Sequence, residues 1–210
     1  MSVGFDFSVQ EILASVCLGG CLLIPDDDIR LDAGVLAKWL VQQRVETLFG
    51  SMSALDTVLS EYVKFDDRSM RQVIQGGELL THSRSMNDYL ASPGTLVNVY
   101  GPAETHAATA FVRTSTQPLG TKVPIGRALS GVRVYVLDSG LGPVAPGVVG
   151  ELYISGLGVT RGYLGRAGLT ASRLWPIPLM VRVCGCIAPV TWCGGVLMAS
   201  WSLWGVLTIR

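Results

Sequence analysis

The chain has 210 residues, of which 49% are hydrophobic and 15% charged, and its formal net charge is zero. This length suits one large domain or two small ones, and zero net charge gives no reason to expect binding to nucleic acid or to an anionic membrane. The five cysteines, an odd number without regular spacing, argue against a secreted disulfide framework. No basic segment followed by an apolar one opens the chain, so we expect no signal peptide and a cytoplasmic location.

The first half of the chain alternates between helical and strand patterns. Ser8, with Glu11 three residues later, forms a capping-box pattern that predicts an amphipathic helix over residues 8–18. The apolar run at 21–26 predicts a short buried strand. Further patterns predict helices at 33–44, 53–62 and 81–90, and strands at 45–50, 71–77 and 95–101. This alternation indicates an α/β layer with a largely parallel sheet.

The pattern changes after Thr105. Apolar stretches at 109–115, 132–140 and 150–156 are separated by Gly- and Pro-rich turns without a helical pattern between them. They predict a smaller β-rich, barrel-like subdomain. The predicted organisation is therefore an α/β sheet part over residues 1–118, a β-rich segment over 119–173 and a separate tail over 174–210.

Two motifs carry candidate chemistry. NVYGPAET (98–105) combines a strand end, a Gly-Pro turn and the carboxylate of Glu104, and ligands of α/β sheets bind at the carboxyl ends of strands. An aromatic there can stack on a planar base, and a glutamate can hold hydrated Mg²⁺ beside a phosphate. The alternative is a tight turn followed by a helix start that stabilises Glu104. GELYISGLGVTRGYL (150–164) is rich in glycine but lacks the GK[ST] ending of a phosphate loop, which favours a turn.

Taken together with FDFSVQEI (5–12), these motifs resemble, in order and spacing, the core motifs of the adenylation domains of nonribosomal peptide synthetases. VPIGRALSGVRVYVLD (123–138) and GRAGLTASR (165–173) resemble the sequences that join and follow those motifs, so the resemblance covers residues 4–173. It implies a partial α/β domain and an ATP-dependent reaction. In this reaction an amino acid becomes an aminoacyl adenylate and is then passed to the thiol of a peptidyl carrier protein.

The resemblance also implies a nucleotide site. Tyr100 is expected to stack on adenine, Asn98 and Gly101 to line the base site, and Glu104 to bind Mg²⁺. Ala103 stands where the family usually has a threonine whose hydroxyl contacts phosphate. Loss of that hydrogen bond is expected to weaken ATP binding by about 1 kcal/mol.

The amino-acid pocket that the resemblance implies is apolar and of medium size. Asp6 is its anionic anchor for the substrate ammonium, a charge-assisted contact, and Gln10 is its one amide. It contains no second charge for a charged substrate side chain, and the pattern is similar to pockets for cyclic imino acids such as pipecolate or proline. The positions are Asp6, Phe7, Gln10, Phe49, Ile74, Gly76, Val99, Ala107 and Ala108.

Several parts of the family's machinery are not recognisable in this sequence. They are the phosphate loop with its lysine, expected upstream of FDFS, and the TGD segment, hinge and small domain with the catalytic lysine, expected downstream. We therefore expect the isolated chain to be unable to form an adenylate. The alternatives are a non-catalytic nucleotide-binding protein and a non-functional gene remnant.

The tail after Arg173 has a different composition. Residues 183–209 contain no charged side chain, and four of the five tryptophans lie in the tail. A membrane span is one interpretation, since about 20 apolar residues suffice to cross a bilayer, but Pro189 and several glycines dilute the run. A metal or redox site at Cys184, Cys186 and Cys193 is weakly supported without a nearby histidine. A buried core element is disfavoured because neither the strand nor the helix period is present.

The fourth interpretation of the tail is a shifted reading frame. If the codons for residues 174–210 are read in the frame that starts at the third base of each codon, they can encode the sequence that follows in the family. That sequence includes the TGD segment. The fixed tryptophan and methionine codons agree with it, and loss of one base from a Phe-Val codon pair produces Leu174–Trp175. We expect the tail to be frameshifted, and sequencing the gene tests this.

Overall fold

The computed structural model describes residues 4–67, 69–81, 83–92, 94–113, 123–175, 186–187, 192–195 and 201–202. The chain forms two compact units. The first comprises Met1–Asn98 and Val112–Lys122, and the second comprises Val99–Phe111 and Val123–Arg210. The predicted boundary at 118–119 falls outside the described residues, so the predicted domain limits stay a prediction.

The helices of the first unit follow the predicted alternation. They are α1 (Phe7–Cys17), α2 (Asp27–Arg30), α3 (Ala33–Gln42), α4 (Met52–Tyr62) and α5 (Arg84–Ala91). Two begin at side-chain caps: Asp32 accepts a hydrogen bond from the Val35 amide and Ser83 accepts one from the Met86 amide. Such caps satisfy amide groups that have no partner within the helix.

The first unit also contains a sheet in which β1 (Thr47–Gly50), β2 (Gln72–Gly76) and β3 (Thr95–Tyr100) are hydrogen-bonded in that order. Strands β1 and β2 are parallel, with Thr47 opposite Gln72 and Gly50 opposite Gln75. Four consecutive residues of β2 and four of β3 are buried, and each run contains one polar side chain, Gln75 in β2 and Asn98 in β3. The predicted α/β class with parallel strands is confirmed.

Two local predictions are wrong. Residues 21–26 form no strand, and Ile24 is 79% exposed, because an apolar run without a neighbouring strand cannot form a ladder. Helix α1 starts at Phe7 rather than after Ser8, with Asp6 at the N-cap position and no side-chain cap. The turn begins early because the amides of Ser8 and Val9 already donate to the carbonyls of Phe5 and Asp6.

The second unit is built mainly from antiparallel strands. Its longest pair joins β6 and β7 over six residue pairs, from Val132↔Gly156 to Leu137↔Glu151, and β4 pairs with β5 through Thr109↔Ala128. The elements are β4 (Thr109–Arg113), β5 (Pro124–Ala128), β6 (Val132–Leu137), β7 (Val148–Gly156), α6 (Ala167–Arg173), β8 (Leu174–Trp175), β9 (Cys186–Ile187), β10 (Trp192–Gly195) and β11 (Trp201–Ser202). The β-rich character agrees with the sequence, whereas the helix α6 was not predicted.

A hydrophobic cluster forms the core of the second unit. It joins the residue before β4 to strands β5, β6 and β7, and Tyr100 packs against it together with partly buried valines. The buried members are Ala108, Ile125, Val136, Leu152 and Ile154. Alternate residues of β6 and of β7 supply this core, because successive side chains of a strand point to opposite faces of the sheet.

Only short strands of the tail are described. Cys184 lies outside the described residues, so the cysteine-site hypothesis is not tested, and the frameshift stays a prediction about the gene. Within the described ranges, no helix has the length and apolarity needed to cross a bilayer. Those same ranges contain no cluster of three or more metal-ligating side chains.

Candidate functional site

The candidate nucleotide motif forms a tight loop between β3 and β4. The Ala108 amide donates to the Tyr100 carbonyl over 2.8 Å and closes the loop, and the Thr105 amide donates to the Pro102 carbonyl over 3.0 Å. The Thr105 hydroxyl lies 3.0 Å from the carbonyl oxygen of His106. No helix follows in residues 101–113. The turn in the alternative interpretation is therefore present, but the helix start is not.

Gly101 makes this loop possible. A Cβ at this position would lie 1.6 Å from the His106 carbonyl oxygen, so any side chain would force the backbone to move. His106 itself adopts a left-handed conformation with φ of 55°, which few non-glycine residues take. The loop is consequently defined by backbone contacts that tolerate little change.

Glu104 is attached at two points within the second unit. Its carbonyl oxygen accepts a hydrogen bond of 2.7 Å from the Thr160 amide, and its Oε1 accepts one from the Tyr163 hydroxyl. Donation to Glu104 is the main cause that raises the pKa of Tyr163. In the described part of the chain, the Glu104 side chain makes no other hydrogen bond.

The other predicted nucleotide residues lie on the same strand and loop. Asn98 is 5% exposed and is the last residue of the first segment of the first unit, and Val99 begins the first segment of the second unit. Tyr100 is half-buried because its ring packs on the core cluster of the second unit. Ala103 is exposed at the tip of the turn.

Three predicted pocket residues meet in the first unit. The Phe7 and Phe49 rings pack edge to face with centroids 5.8 Å apart and an interplanar angle of 71°. A Cβ at Gly76 would lie 3.0 Å from the Phe7 ring, so glycine there leaves the space that the ring fills. Phe5, which was not among the predicted pocket residues, also belongs to this group, since its ring centroid lies 6.3 Å from that of Phe7. The sequence signal that could have indicated Phe5 is its position two residues before Phe7, on the other side of Asp6.

Two polar pocket residues lie at the N-terminal end of α1. Asp6 is half-buried at the N-cap position, and Gln10 follows one turn later. Gln10 Oε1 is buried and has no hydrogen-bond partner among the described residues, a state that costs free energy unless a donor arrives. An amide oxygen in this condition is suited to accept a hydrogen bond from a ligand.

The remaining pocket positions are apolar. Ile74 lies in β2 and is buried, Ala107 is half-buried, and Ala108 is fully buried within the core cluster of the second unit. The roles of all the site residues stay predictions.

A second carboxylate at a strand end was not singled out from the sequence. Glu78 follows β2 after Gly77, and it accepts hydrogen bonds from the Ser53 amide (2.9 Å) and the Ser53 hydroxyl (3.0 Å). The Ser53 amide is the main cause that lowers the pKa of Glu78. Since Ser53 lies in the first turn of α4, Glu78 acts as a remote cap of that helix.

Comparison with known proteins identifies the family. The AMP-binding enzyme family matches residues 1–164. This chain belongs to the AMP-binding enzyme family. Syringomycin synthase SyrB1 of Pseudomonas syringae pv. syringae is 37% identical over 189 residues, which cover 86% of this chain and 30% of that protein. A dimodular nonribosomal peptide synthase of Bacillus subtilis is 38% identical over 181 residues, covering 82% of this chain and 8% of that protein.

Solved structures agree with this assignment. The nonribosomal peptide synthetase FmoA3 superposes with a TM-score of 0.86 over 97% of this chain and 22% of its own, at 21% identity, which shows a common fold. The four-domain synthetase AB3403, solved with AMP and glycine, gives a TM-score of 0.82 at 25% identity, over 95% of this chain and 15% of its own.

The coverage defines what the family match means. The chain spans 30% or less of the length of the two synthetases whose sequences are compared above. It matches a fragment of an amino-acid-activating adenylation domain of nonribosomal peptide synthetases, and its family uses ATP. The alternatives of a non-catalytic nucleotide-binding protein and a gene remnant are not favoured by these findings.

Proposed function

We propose that residues 4–173 supply the nucleotide-binding and amino-acid-binding part of an adenylation site. In the reaction, a carboxylate oxygen of the amino acid attacks the α-phosphorus of ATP, the bond to the bridging oxygen breaks, and pyrophosphate leaves. The acyl group is then transferred to the thiol of a peptidyl carrier protein, which releases AMP. The observation that supports this most directly is the family match over 1–164 together with Glu104 held on the loop that follows β3.

For the nucleotide, we assign adenine stacking to Tyr100 and the lining of the base site to Asn98 and Gly101. Packing of Tyr100 on the core cluster supports its role, because a ring that is already held loses little freedom when a base stacks on it. Gly101 presents only backbone, which allows close approach. Ala103 contributes no hydroxyl to a phosphate. The binding free energy of ATP is therefore expected to be less favourable by about 1 kcal/mol than with threonine at this position.

For the metal, we assign Glu104 as a ligand of Mg²⁺. The residues fit this ion, since Mg²⁺ binds through one or two carboxylate oxygens and completes its shell with water and phosphate. One oxygen of Glu104 is already held by Tyr163, and the other has no partner in the described chain. Mg²⁺, when bound, neutralises phosphate charge and orients the triphosphate.

For the amino acid, we assign the substrate ammonium to Asp6 and an additional hydrogen bond to Gln10. The buried and unpartnered Oε1 of Gln10 supports this. The apolar side chains favour an uncharged substrate such as a cyclic imino acid. In the first unit they belong to Phe7, Phe49 and Ile74, and Gly76 leaves space beside the Phe7 ring.

The test is amino-acid-dependent ATP–pyrophosphate exchange in a complete adenylation domain. Residues 4–173 replace the corresponding segment of a related synthetase, with Glu104→Gln as the inactive control. We expect exchange with cyclic imino acids and small apolar amino acids. A folded chimera without exchange would contradict the proposed function, whereas preference for Asp, Glu or Arg would contradict only the pocket assignment.

A further inference from the structure

We propose that Tyr163 is a positioning residue for Glu104: its hydroxyl holds one carboxylate oxygen and leaves the other to bind a divalent cation. This inference rests on the proposed function, because it takes Glu104 as the metal ligand. It adds to that function a residue that touches neither nucleotide nor substrate in the assignments above.

The segment 158–163 holds Glu104 by its backbone and by its side chain. The Thr160 amide donates to the Glu104 carbonyl over 2.7 Å, and the Tyr163 hydroxyl donates to Oε1 of the same residue. Gly158 lies close to Thr105, the residue after Glu104: a Cβ at Gly158 would lie 2.9 Å from the Thr105 carbonyl oxygen. These contacts fix both the place of the turn and the direction of the carboxylate.

Tyr163 is itself held from the helix that follows it. Its amide donates to Thr170 Oγ1 over 3.0 Å, and this hydroxyl donates to the Arg166 carbonyl over 3.0 Å. The phenol therefore reaches Glu104 from a backbone that is anchored on α6. An anchored donor can orient a carboxylate, whereas a mobile one would only follow it.

Orientation matters because a glutamate has several rotatable bonds. If these bonds become ordered only when the cation binds, the loss of conformational entropy reduces the affinity for the cation. A hydrogen bond that already orders the side chain reduces this entropy loss. Carboxylates that bind metals are commonly held by such outer partners, and removal of one lowers metal affinity by about 10- to 100-fold. Tyr163 occupies a single oxygen, so the bond does not exclude the cation.

The chain offers a matched control. The Tyr153 hydroxyl donates to Glu151 Oε2 over 3.0 Å within strand β7 of the same unit. Replacing Tyr153 by phenylalanine removes the same hydroxyl and the same type of bond. Glu151 has no assigned metal role, so metal binding should not respond.

The experiment measures Mn²⁺ as a probe for the Mg²⁺ site. The 210-residue chain is titrated with MnCl₂ at a fixed concentration of ATP, and free Mn²⁺ is followed by electron paramagnetic resonance. ATP affinity without metal is measured separately in EDTA. The variants are Tyr163→Phe, Tyr153→Phe, Glu104→Gln and the double variant Tyr163→Phe/Glu104→Gln, each checked for an unchanged circular dichroism spectrum and melting transition.

We expect Tyr163→Phe to weaken Mn²⁺ binding by about tenfold, the lower end for loss of an outer partner of a metal ligand. Metal-free ATP affinity should not change, Tyr153→Phe should bind Mn²⁺ as the parent does, and the double variant should bind no more weakly than Glu104→Gln. Thr170→Val provides a second probe that leaves the phenol intact. It should weaken Mn²⁺ binding in the parent but not in the Tyr163→Phe background.

The outcomes separate the two proposals. If the parent exceeds Glu104→Gln in Mn²⁺ binding but Tyr163→Phe equals the parent, the role of Tyr163 is wrong and that of Glu104 stands. If the parent and Glu104→Gln bind Mn²⁺ equally, Glu104 is not the ligand and both proposals fail. If Tyr163→Phe lost as much ATP affinity in EDTA as it lost Mn²⁺ affinity, the substitution would have a general structural effect, which would contradict positioning. Should Tyr163→Phe not fold, an unchanged Mn²⁺ affinity in Thr170→Val overturns the proposal.

Discussion

Two glutamates follow strands of this molecule, and their carboxylates differ in the hydrogen bonds they accept. Glu78, after β2, receives one donor on each carboxylate oxygen, both from Ser53 in the first turn of α4. Glu104, after β3, receives a single donor on one oxygen from the described residues, the Tyr163 hydroxyl. A carboxylate whose oxygens are both engaged serves the fold, whereas one with an oxygen left over in the described structure can serve a ligand.

The two loops that carry these glutamates are also held differently. The loop after β2 is held by aromatic rings, since Phe7 packs on Gly76 and Phe5 on Gly77. The loop after β3 is held by backbone hydrogen bonds and by the close approach of Gly101 to His106. Packing tolerates gradual changes in volume, but a backbone contact at this distance does not.

The largest expected effect comes from Gly101→Ala. Its Cβ would collide with the His106 carbonyl oxygen, and the backbone must move, so we expect a loss of about 3 kcal/mol or more in the free energy of unfolding, the upper end for overpacking. Urea denaturation measures this loss. Gly168→Ala is the control, because nothing lies within 4 Å of its Cβ in α6 and alanine favours a helix by about 1 kcal/mol. Equal stability of the two variants would contradict the steric account of the loop.

The second largest loss in the free energy of unfolding is expected for Phe7→Ala. Phe7 is 4% exposed and contacts Phe49 and Gly76, so truncation should lower the free energy of unfolding by about 3 kcal/mol. Val9→Ala on the same helix, at a side chain 48% exposed, should have little effect. In addition, Gly76→Ala should be less harmful in the Phe7→Ala background than alone. Additive losses would show that the ring does not limit the space at Gly76.

The smallest effect is expected from Glu78→Gln, and it depends on pH. Because the pKa of Glu78 is lowered from 4.5 in the folded chain, its stabilisation is complete above pH 4.5 and is lost as the pH falls through the folded pKa. At neutral pH the substitution should lower the free energy of unfolding by roughly 0.5 kcal/mol, since solvent screens an exposed carboxylate. Urea midpoints at pH 7, 5 and 3 should show a weaker acid dependence in the variant. An unchanged pH dependence would assign the acid response to other groups, such as Asp56, whose pKa is also lowered by serine hydrogen bonds.

Part of the fold was predictable because it depends on local patterns. The apolar runs of β2 and β3 and the helical spacing of α3 and α4 agree with the structure to within a few residues. The run at 21–26 was predicted wrongly, since hydrophobicity alone does not supply a hydrogen-bonding partner. Helix α6 was missed because Gly168, Thr170 and Ser172 weaken its helical signal.

The sequence by itself determined the family, the α/β class and the list of candidate residues, because motif order and hydrophobic period are properties of the chain. It also placed Glu104 after a strand. Only the tertiary structure decided which groups meet that carboxylate: Tyr163 is 59 residues away in sequence, and the hydrogen bond between them depends on how β7 and α6 fold within the second unit. The same holds for Glu78 and Ser53, 25 residues apart. Hydrogen bonds act over about 3 Å in space, so sequence separation does not reveal which partners a side chain will find.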